Sequence, residues 1–389
     1  HTDYIFSPTI YEMYVHGSEY ERLDFNSTCV FVQGEPFFLK QAFKDYKLEN
    51  KLITPKLNFA KGWHTQEKEF LEVANQLGVY NEVQIKNAYK YAVEQLLKAQ
   101  EKLREIGYDL LKKIEKEKGI GIILIGRPYN SFNEIANKGI PQKFASRGIY
   151  IIPYDMLDYR FEEIDDAMYW EGGKKILKSA KIVKANPHLF ATYISNFSCG
   201  PDSLIITTFR EIMGTKPNLT LELDSHSADA GINTRIDAFL DIVQNYIAIK
   251  GNVNEDSKQN KIAELISIDG RGYFLTPDGQ KIPLTSPKVK ILIPSMGDIA
   301  ANLFASALRS IGFDAEALPE ADVETLKYGR SIATGKECLP LLILAGSLIK
   351  WVENNWDGKQ YVAFFNVQGA GNCRLGQYPV FLRYLIRKK

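Results

Sequence analysis

The chain has 389 residues, 45% hydrophobic and 24% charged, with a net charge of +1. That is the balance of an ordinary globular protein, long enough for two or three domains with their own cores. Its basic residues are dispersed, so charge gives no ground for nucleic acid or an anionic membrane as partner, and no apolar run approaches the roughly 20 residues of a membrane span.

Residues 1–65 are irregular and rich in aromatics and prolines, with short β-type runs such as Cys29-Val30-Phe31-Val32. The opening His1-Thr2-Asp3-Tyr4 reads neither as a signal peptide nor as a natural start. From about 66 to 118 the pattern is helical. Ala92, Leu96, Ala99, Leu103, Ile106, Leu110 and Ile114 recur at spacings of three and four, and Gly119 is placed to stop the helix.

Residues 119–250 alternate strand and helix. Ile120 to Ile125 is a continuous apolar run, the mark of a buried parallel strand. Further strands are expected at Ile149–Ile152, Thr192–Ser195 and Leu219–Leu223. A helix with Ile232, Ile236, Phe239, Leu240 and Val243 on one face follows, and Ser227 is a candidate cap. Residues 251–288 read as a connector. Its polar stretch 251–260 precedes a hairpin of Tyr273–Thr276 and Lys281–Leu284 around Pro277-Asp278-Gly279. A second α/β unit starts at strand Val289–Ile293 and helix Ile299–Ile311, and ends unfinished at Lys389. The expected organisation is a partial first lobe with a cysteine loop and long helical segment (1–118), an α/β lobe (119–250), the connector (251–288) and a second α/β lobe (289–389). The expected fold class is α/β, with two doubly wound, flavodoxin-like parallel-sheet lobes and a helical insert.

In such sheets ligands gather beyond the carboxyl ends of the strands. Those ends carry Gly126-Arg127-Pro128-Tyr129-Asn130, then Phe197-Ser198-Cys199-Gly200-Pro201-Asp202, then Asp224-Ser225-His226-Ser227. Cys338 lies at a helix start, where free N–H groups favour a thiolate, and Cys373 lies in a loop after strand Tyr361–Val367. With Cys29 these are all the cysteines, and no two form a CxxC pair. Sparse thiols without a disulfide framework fit a reducing, cytoplasmic setting. Each is open to two readings, a buried small hydrophobe or one of several scattered ligands to an iron–sulfur cluster. Arg127 suits either a carboxylate or phosphate ligand or a loop carbonyl. Asp224 and His226 suit either proton relay or a helix cap. His64 reads as packing. No G-x-x-x-x-G-K-S/T loop occurs, so nucleotide hydrolysis is left to a partner or a further domain.

Several of these segments resemble a known family. Gly126–Asn130, Asn196–Asp202, Leu221–Arg235, Ser331–Pro340 and Gly371–Tyr378 are similar to the superfamily of 2-hydroxyacyl-CoA dehydratases and double-cubane cluster proteins. The nearer resemblance is to large fusions of such lobes with an acyl-CoA dehydratase activase, over most of 1–40 and 119–389. It implies that Cys29, Cys199, Cys338 and Cys373 ligate a 4Fe–4S cluster or a double-cubane 8Fe–9S cluster. It also implies electrons from an ATP-hydrolysing iron–sulfur activator, itself fed by a ferredoxin or flavodoxin, and it allows a homodimer. The reaction implied is anaerobic, low-potential reduction of a small substrate or radical dehydration of a 2-hydroxyacyl-CoA. The family's usual further cysteine segment, just upstream of this start, is not in the sequence, and the chain reads as part of a longer one. Two rivals from other classes are a cluster-free scaffold or regulator of the activator, and a cysteine-dependent transferase or hydrolase.

Overall fold

The computed structural model describes residues 3–16, 26–48, 51–164, 167–197, 199–250, 262–369, 371 and 373–388. The polar stretch 251–260 and Ser198 therefore lie outside the described residues. The chain divides into two compact units, His1–Asn254 with Ala370–Cys373, and Glu255–Gly369 with Arg374–Lys389.

Unit one opens with four short strands in two parallel pairs. Strand β1 (Ile5–Phe6) and β2 (Thr9–Glu12) pair with β3 (Leu52–Ile53) and β4 (Lys56–Asn58). Between them runs helix α1 (Val30–Ala42), which corrects the β-type reading of 29–32. Thr28 is the cause: its N–H bonds the Tyr11 carbonyl and its hydroxyl bonds that of Ile10, so backbone pairing ends there and Cys29 takes the N-cap. Helix α2 (Glu67–Gln76) leads to the 36-residue helix α3 (Glu82–Glu117). Asn81 caps α3 by accepting the Gln84 N–H at 3.1 Å, and Lys118 in the left-handed conformation ends it, one residue before the expected Gly119.

A four-stranded parallel sheet forms the core of unit one. Strand β5 (Gly121–Gly126) leads through short helices α4 (Pro128–Ser131) and α5 (Ile140–Ala145) to β6 (Tyr150–Pro153). Helix α6 (Glu171–Ala185), β7 (Leu189–Asn196), α7 (Asp202–Met213), β8 (Asn218–Leu223) and α8 (Asp229–Lys250) follow. The spatial order is β6-β5-β7-β8, the flavodoxin-like arrangement of a doubly wound sheet. The expected strands fall where the apolar runs placed them. Strand β5 is buried at every position, which is why it reads as unbroken hydrophobicity. One face is filled by Ile122, Leu124, Phe190 and Ile194 packed on Ile236, Phe239 and Val243 of α8.

Unit two begins with an antiparallel sheet of β9 (Glu264–Ile268), β10 (Arg271–Leu275) and β11 (Lys281–Pro283). The expected hairpin is present, and β9 is an addition, its hydrophobics diluted by Glu264 and Ser267. A parallel sheet follows from β12 (Val289–Ile293), α9 (Asp298–Ser310), β13 (Asp314–Ala317), α10 (Val323–Ile332), α11 (Leu339–Asn355) and β14 (Tyr361–Phe364), in order β13-β12-β14. Helix α12 (Tyr378–Lys388) closes the unit. Among the described residues no helix is long and apolar enough to cross a membrane.

Candidate functional site

In unit one the sheet order reverses between β5 and β7, and the carboxyl ends at such a switch point are where ligands gather in doubly wound sheets. Gly126 ends β5 at φ +149°, and a Cβ there would lie 2.3 Å from the Ile194 carbonyl oxygen. Only glycine lets the two strand ends come so close. The next residue, Arg127, caps α4 with its backbone. Its carbonyl accepts the N–H groups of Asn130 and Ser131 at 2.9 and 2.8 Å, and the Ser131 hydroxyl at 2.8 Å.

The Arg127 side chain turns inward and is 8% exposed. Gly172 makes room for it, since a Cβ there would stand 2.5 Å from Nη1. Its Nε donates to Asp202 Oδ1 at 3.3 Å, and Ser195 Oγ donates to Asp202 Oδ2 at 2.7 Å. Asp202 is 2% exposed and opens α7, where the helix dipole favours a negative charge. Burial alone would lower the guanidinium pKa, but the charge of Asp202, with smaller contributions from neighbours, overrides it and the net direction is up, so the guanidinium stays charged. Nη2 of Arg127 is buried and has no hydrogen-bond partner among the described residues.

Two of the expected cysteines meet here. Segment 26–28 is threaded between β2 and the start of α6: Ser27 N–H bonds the Tyr169 carbonyl at 2.8 Å and Glu171 N–H bonds that of Ser27 at 3.1 Å. That fixes Cys29 at the head of α1. Cys199 lies three residues before α7, and its carbonyl accepts the Ser203 N–H at 3.1 Å. Both thiols are half-buried. Burial pushes the Cys199 thiol up to about 12, Asp202 and Cys29 add to the rise, and the Asp202 N–H and Arg127 oppose it. Tyr129 is also raised to about 12, by burial first and then by Cys199, with a smaller contribution from Cys29. Arg127, Tyr129, Cys29, Cys199 and Asp202 are thus electrostatic neighbours.

Cys373 is exposed, and its carbonyl accepts the Tyr169 hydroxyl at 2.8 Å. In unit two Cys338 is the N-cap of α11, as its sequence position suggests, and its Sγ is 2.7 Å from the Tyr378 hydroxyl. The loop before it is clamped by Glu337, whose carboxylate accepts the N–H groups of Thr334 and Lys336 at 3.0 and 3.1 Å. Asp224 and His226 are joined through the backbone. Asp224 Oδ1 accepts the His226 N–H at 2.9 Å and the Ser227 hydroxyl at 2.8 Å, while Ser227 Oγ accepts the Asp224 N–H at 2.9 Å. Ser227 therefore closes this turn and does not cap α8.

The donor set suits iron–sulfur chemistry in part. Two thiols and a buried cation with an unsatisfied N–H are electrostatic neighbours there, whereas burial holds the Cys199 thiol in its neutral form. Among the described residues, no group of three or more His, Cys, Asp or Glu side chains is placed to hold a metal ion. Sequence reasoning gave no role to Asp202, Ser195 or Tyr129. Asp202 carried a usable signal, an acid at a helix start directly after Cys199-Gly200-Pro201.

Residues 1–157 match the family described as "CoA enzyme activase uncharacterised domain". That relates the segment bearing Cys29, β5 and Arg127 to CoA enzyme activases. No curated protein and no solved structure matches the chain.

Proposed function

We propose that this chain is an iron–sulfur protein of the 2-hydroxyacyl-CoA dehydratase and double-cubane type, serviced by an ATP-hydrolysing activator. One observation carries the reading. Cys29 and Cys199, far apart in sequence, become neighbours beside a buried Arg127–Asp202 pair at the switch point of a parallel sheet. The relation of residues 1–157 to CoA enzyme activases supports the choice of partner.

Cys29 and Cys199 would hold the cluster, with Cys373 as a further ligand from the same unit, whether it is a 4Fe–4S or a double-cubane 8Fe–9S group, and Cys338 would serve as a cluster thiolate of unit two. When bound, it would supply low-potential electron transfer, for reduction of a small substrate or radical dehydration of a 2-hydroxyacyl-CoA. The chain's own residues set its surroundings. Arg127 offers a buried positive charge to the thiolates, and Asp202 and Ser195 hold that guanidinium in place. The Asp202 N–H at the head of α7 bonds the Cys199 sulfur and favours its anionic form.

The test is iron and sulfide per chain after anaerobic purification. Brown protein is expected, and Cys29→Ser and Cys199→Ser should each lose at least about half of the iron. Colourless, iron-free protein after anaerobic reconstitution sinks the reading and leaves a cluster-free scaffold for the activator. A metal-free protein whose activity thiol alkylation abolishes would instead be a cysteine-dependent transferase.

A further inference from the structure

The two parallel pairs that open unit one are each two strands wide, so β3 and β4 keep a free edge among the described residues. Ile5 and Ser7 donate their N–H groups to the carbonyls of Lys51 and Ile53 at 2.9 and 3.0 Å, and Thr9 donates to that of Pro55 at 2.9 Å. The odd-numbered residues of this segment therefore face β1 and β2. The N–H and C=O groups of Leu52, Thr54 and Lys56 point the other way, as a parallel ladder requires of alternate residues. Ile53 and Leu57 are buried, which ties the edge to the core. A groove of about 410 Å³ is lined by these same residues, Leu52, Thr54 and Lys56, and by Glu69, Glu72 and Val73 of α2. Spacings of three and four put the α2 residues on one helix face. Val73 is buried and Glu72 is exposed. Oε2 of Glu69 is buried without a hydrogen-bond partner among the described residues, which is costly for a carboxylate. No ion pair of the described residues involves Glu69 or Glu72.

We infer that this groove takes an extended, basic segment of a partner protein, about five residues long, as an added strand. Its backbone bonds the outward N–H and C=O groups of Leu52, Thr54 and Lys56. A lysine or arginine on its α2 side pairs with Glu69 and Glu72 and supplies the donor that the buried oxygen lacks. Apolar neighbours of that cation rest on Leu52 and Val73. A small cation would meet the carboxylates but leave the strand edge to water, whereas a peptide carries donors and acceptors at the strand repeat. An acidic segment is rejected by the same two carboxylates. None of this depends on the cluster reading.

The probe is a fluorescein-labelled, end-blocked peptide Thr-Val-Lys-Val-Thr, titrated with the full chain and followed by fluorescence anisotropy. Saturable binding is expected with a Kd between about 10 and 500 µM, since so short a segment buries little surface. Glu69→Gln combined with Glu72→Gln should weaken binding at least about 10-fold with circular dichroism unchanged, and norleucine in place of the peptide's lysine should do the same. N-methylation of alternate peptide amides should abolish binding in one phase and spare it in the other, because only one edge of an added strand bonds the sheet. Absence of binding up to about 2 mM overturns the inference. So do equal affinities of the two N-methylated phases, or indifference to the paired glutamine substitutions. Lysine amide binding as tightly as the peptide would overturn it too and make the groove a small-cation site.

Discussion

Cys29 in unit one and Cys338 in unit two are presented by the same backbone device and given different surroundings. Both are N-caps in extended conformation, at φ −66°, ψ 146° and φ −73°, ψ 147°, each ahead of a long helix. Around Cys29 and Cys199 the fold has built a desolvated network of a guanidinium, a carboxylate and a hydroxyl. Cys338 has one phenol hydroxyl and a loop tied by Glu337. Helix starts therefore supply placement, but the buried charge is a separate investment made in unit one. Damage to the two regions should differ accordingly.

The largest difference is expected from Arg127→Met. It leaves Asp202 buried without its counter-ion, and breaking such a pair costs about 3–5 kcal/mol. Denaturant unfolding followed by hydrogen exchange should show that loss in unit one while unit two keeps its protection. Combining it with Asp202→Leu should recover most of the loss, since no charge is then stranded. A single variant as stable as the parent would mean that the pair is not buried as described.

A smaller contrast separates two glycines with positive φ. Gly126→Ala meets the Ile194 carbonyl at 2.3 Å, so strain and clash should together cost at least about 2 kcal/mol. Gly335→Ala, at φ +89° in the loop before Cys338, has nothing within 4 Å of its new methyl group. Conformational strain alone is left, about 1 kcal/mol. Equal losses at the two sites would contradict the close approach of β5 and β7.

Smaller again is Tyr378→Phe, which removes the hydroxyl bonded to Cys338 Sγ. A single hydrogen bond is worth about 1 kcal/mol, and the loss should appear in unit two alone. Protection of the α11 amides by hydrogen exchange is the direct measure.

The parallel strands were legible because burial on both faces writes them as unbroken runs: Ile122 to Ile125 admit no polar residue. Helix α1 was not legible. Gly34 and Pro36 lie inside it, and its course is set by Thr28 and Ser27 bonding to β2 and to the start of α6. Such long-range backbone pairing leaves no local pattern. Cys338 was legible at a helix start, where it is the N-cap of α11, whereas Cys29, read within a β-type run, is the N-cap of α1. The partnership of Arg127 with Asp202 was not legible, because it spans 75 positions and depends on the reversal of strand order between β5 and β7.

The mildest contrast concerns acid. At the head of α10 Asp322 accepts the Thr325 N–H at 2.7 Å and pairs with Lys350 at 2.7 Å, so its carboxyl lies well below the usual carboxylate range. The Lys350 hydrogen bond is the main cause and the Thr325 bonds are the next. A carboxyl depressed by folding contributes stability that is fully present above its unfolded value of about 4 and fades as pH falls through the folded value. Unit two should therefore lose stability on acidification partly through this cap, and Asp322→Asn, which keeps an acceptor for Thr325 but drops the charge, should flatten that dependence below about pH 4. The pair is exposed, so added salt should shrink the effect. In unit one the Arg127–Asp202 pair is buried, and salt should leave its contribution nearly unchanged. A salt response as large there as at Asp322 would mean that water reaches the pair.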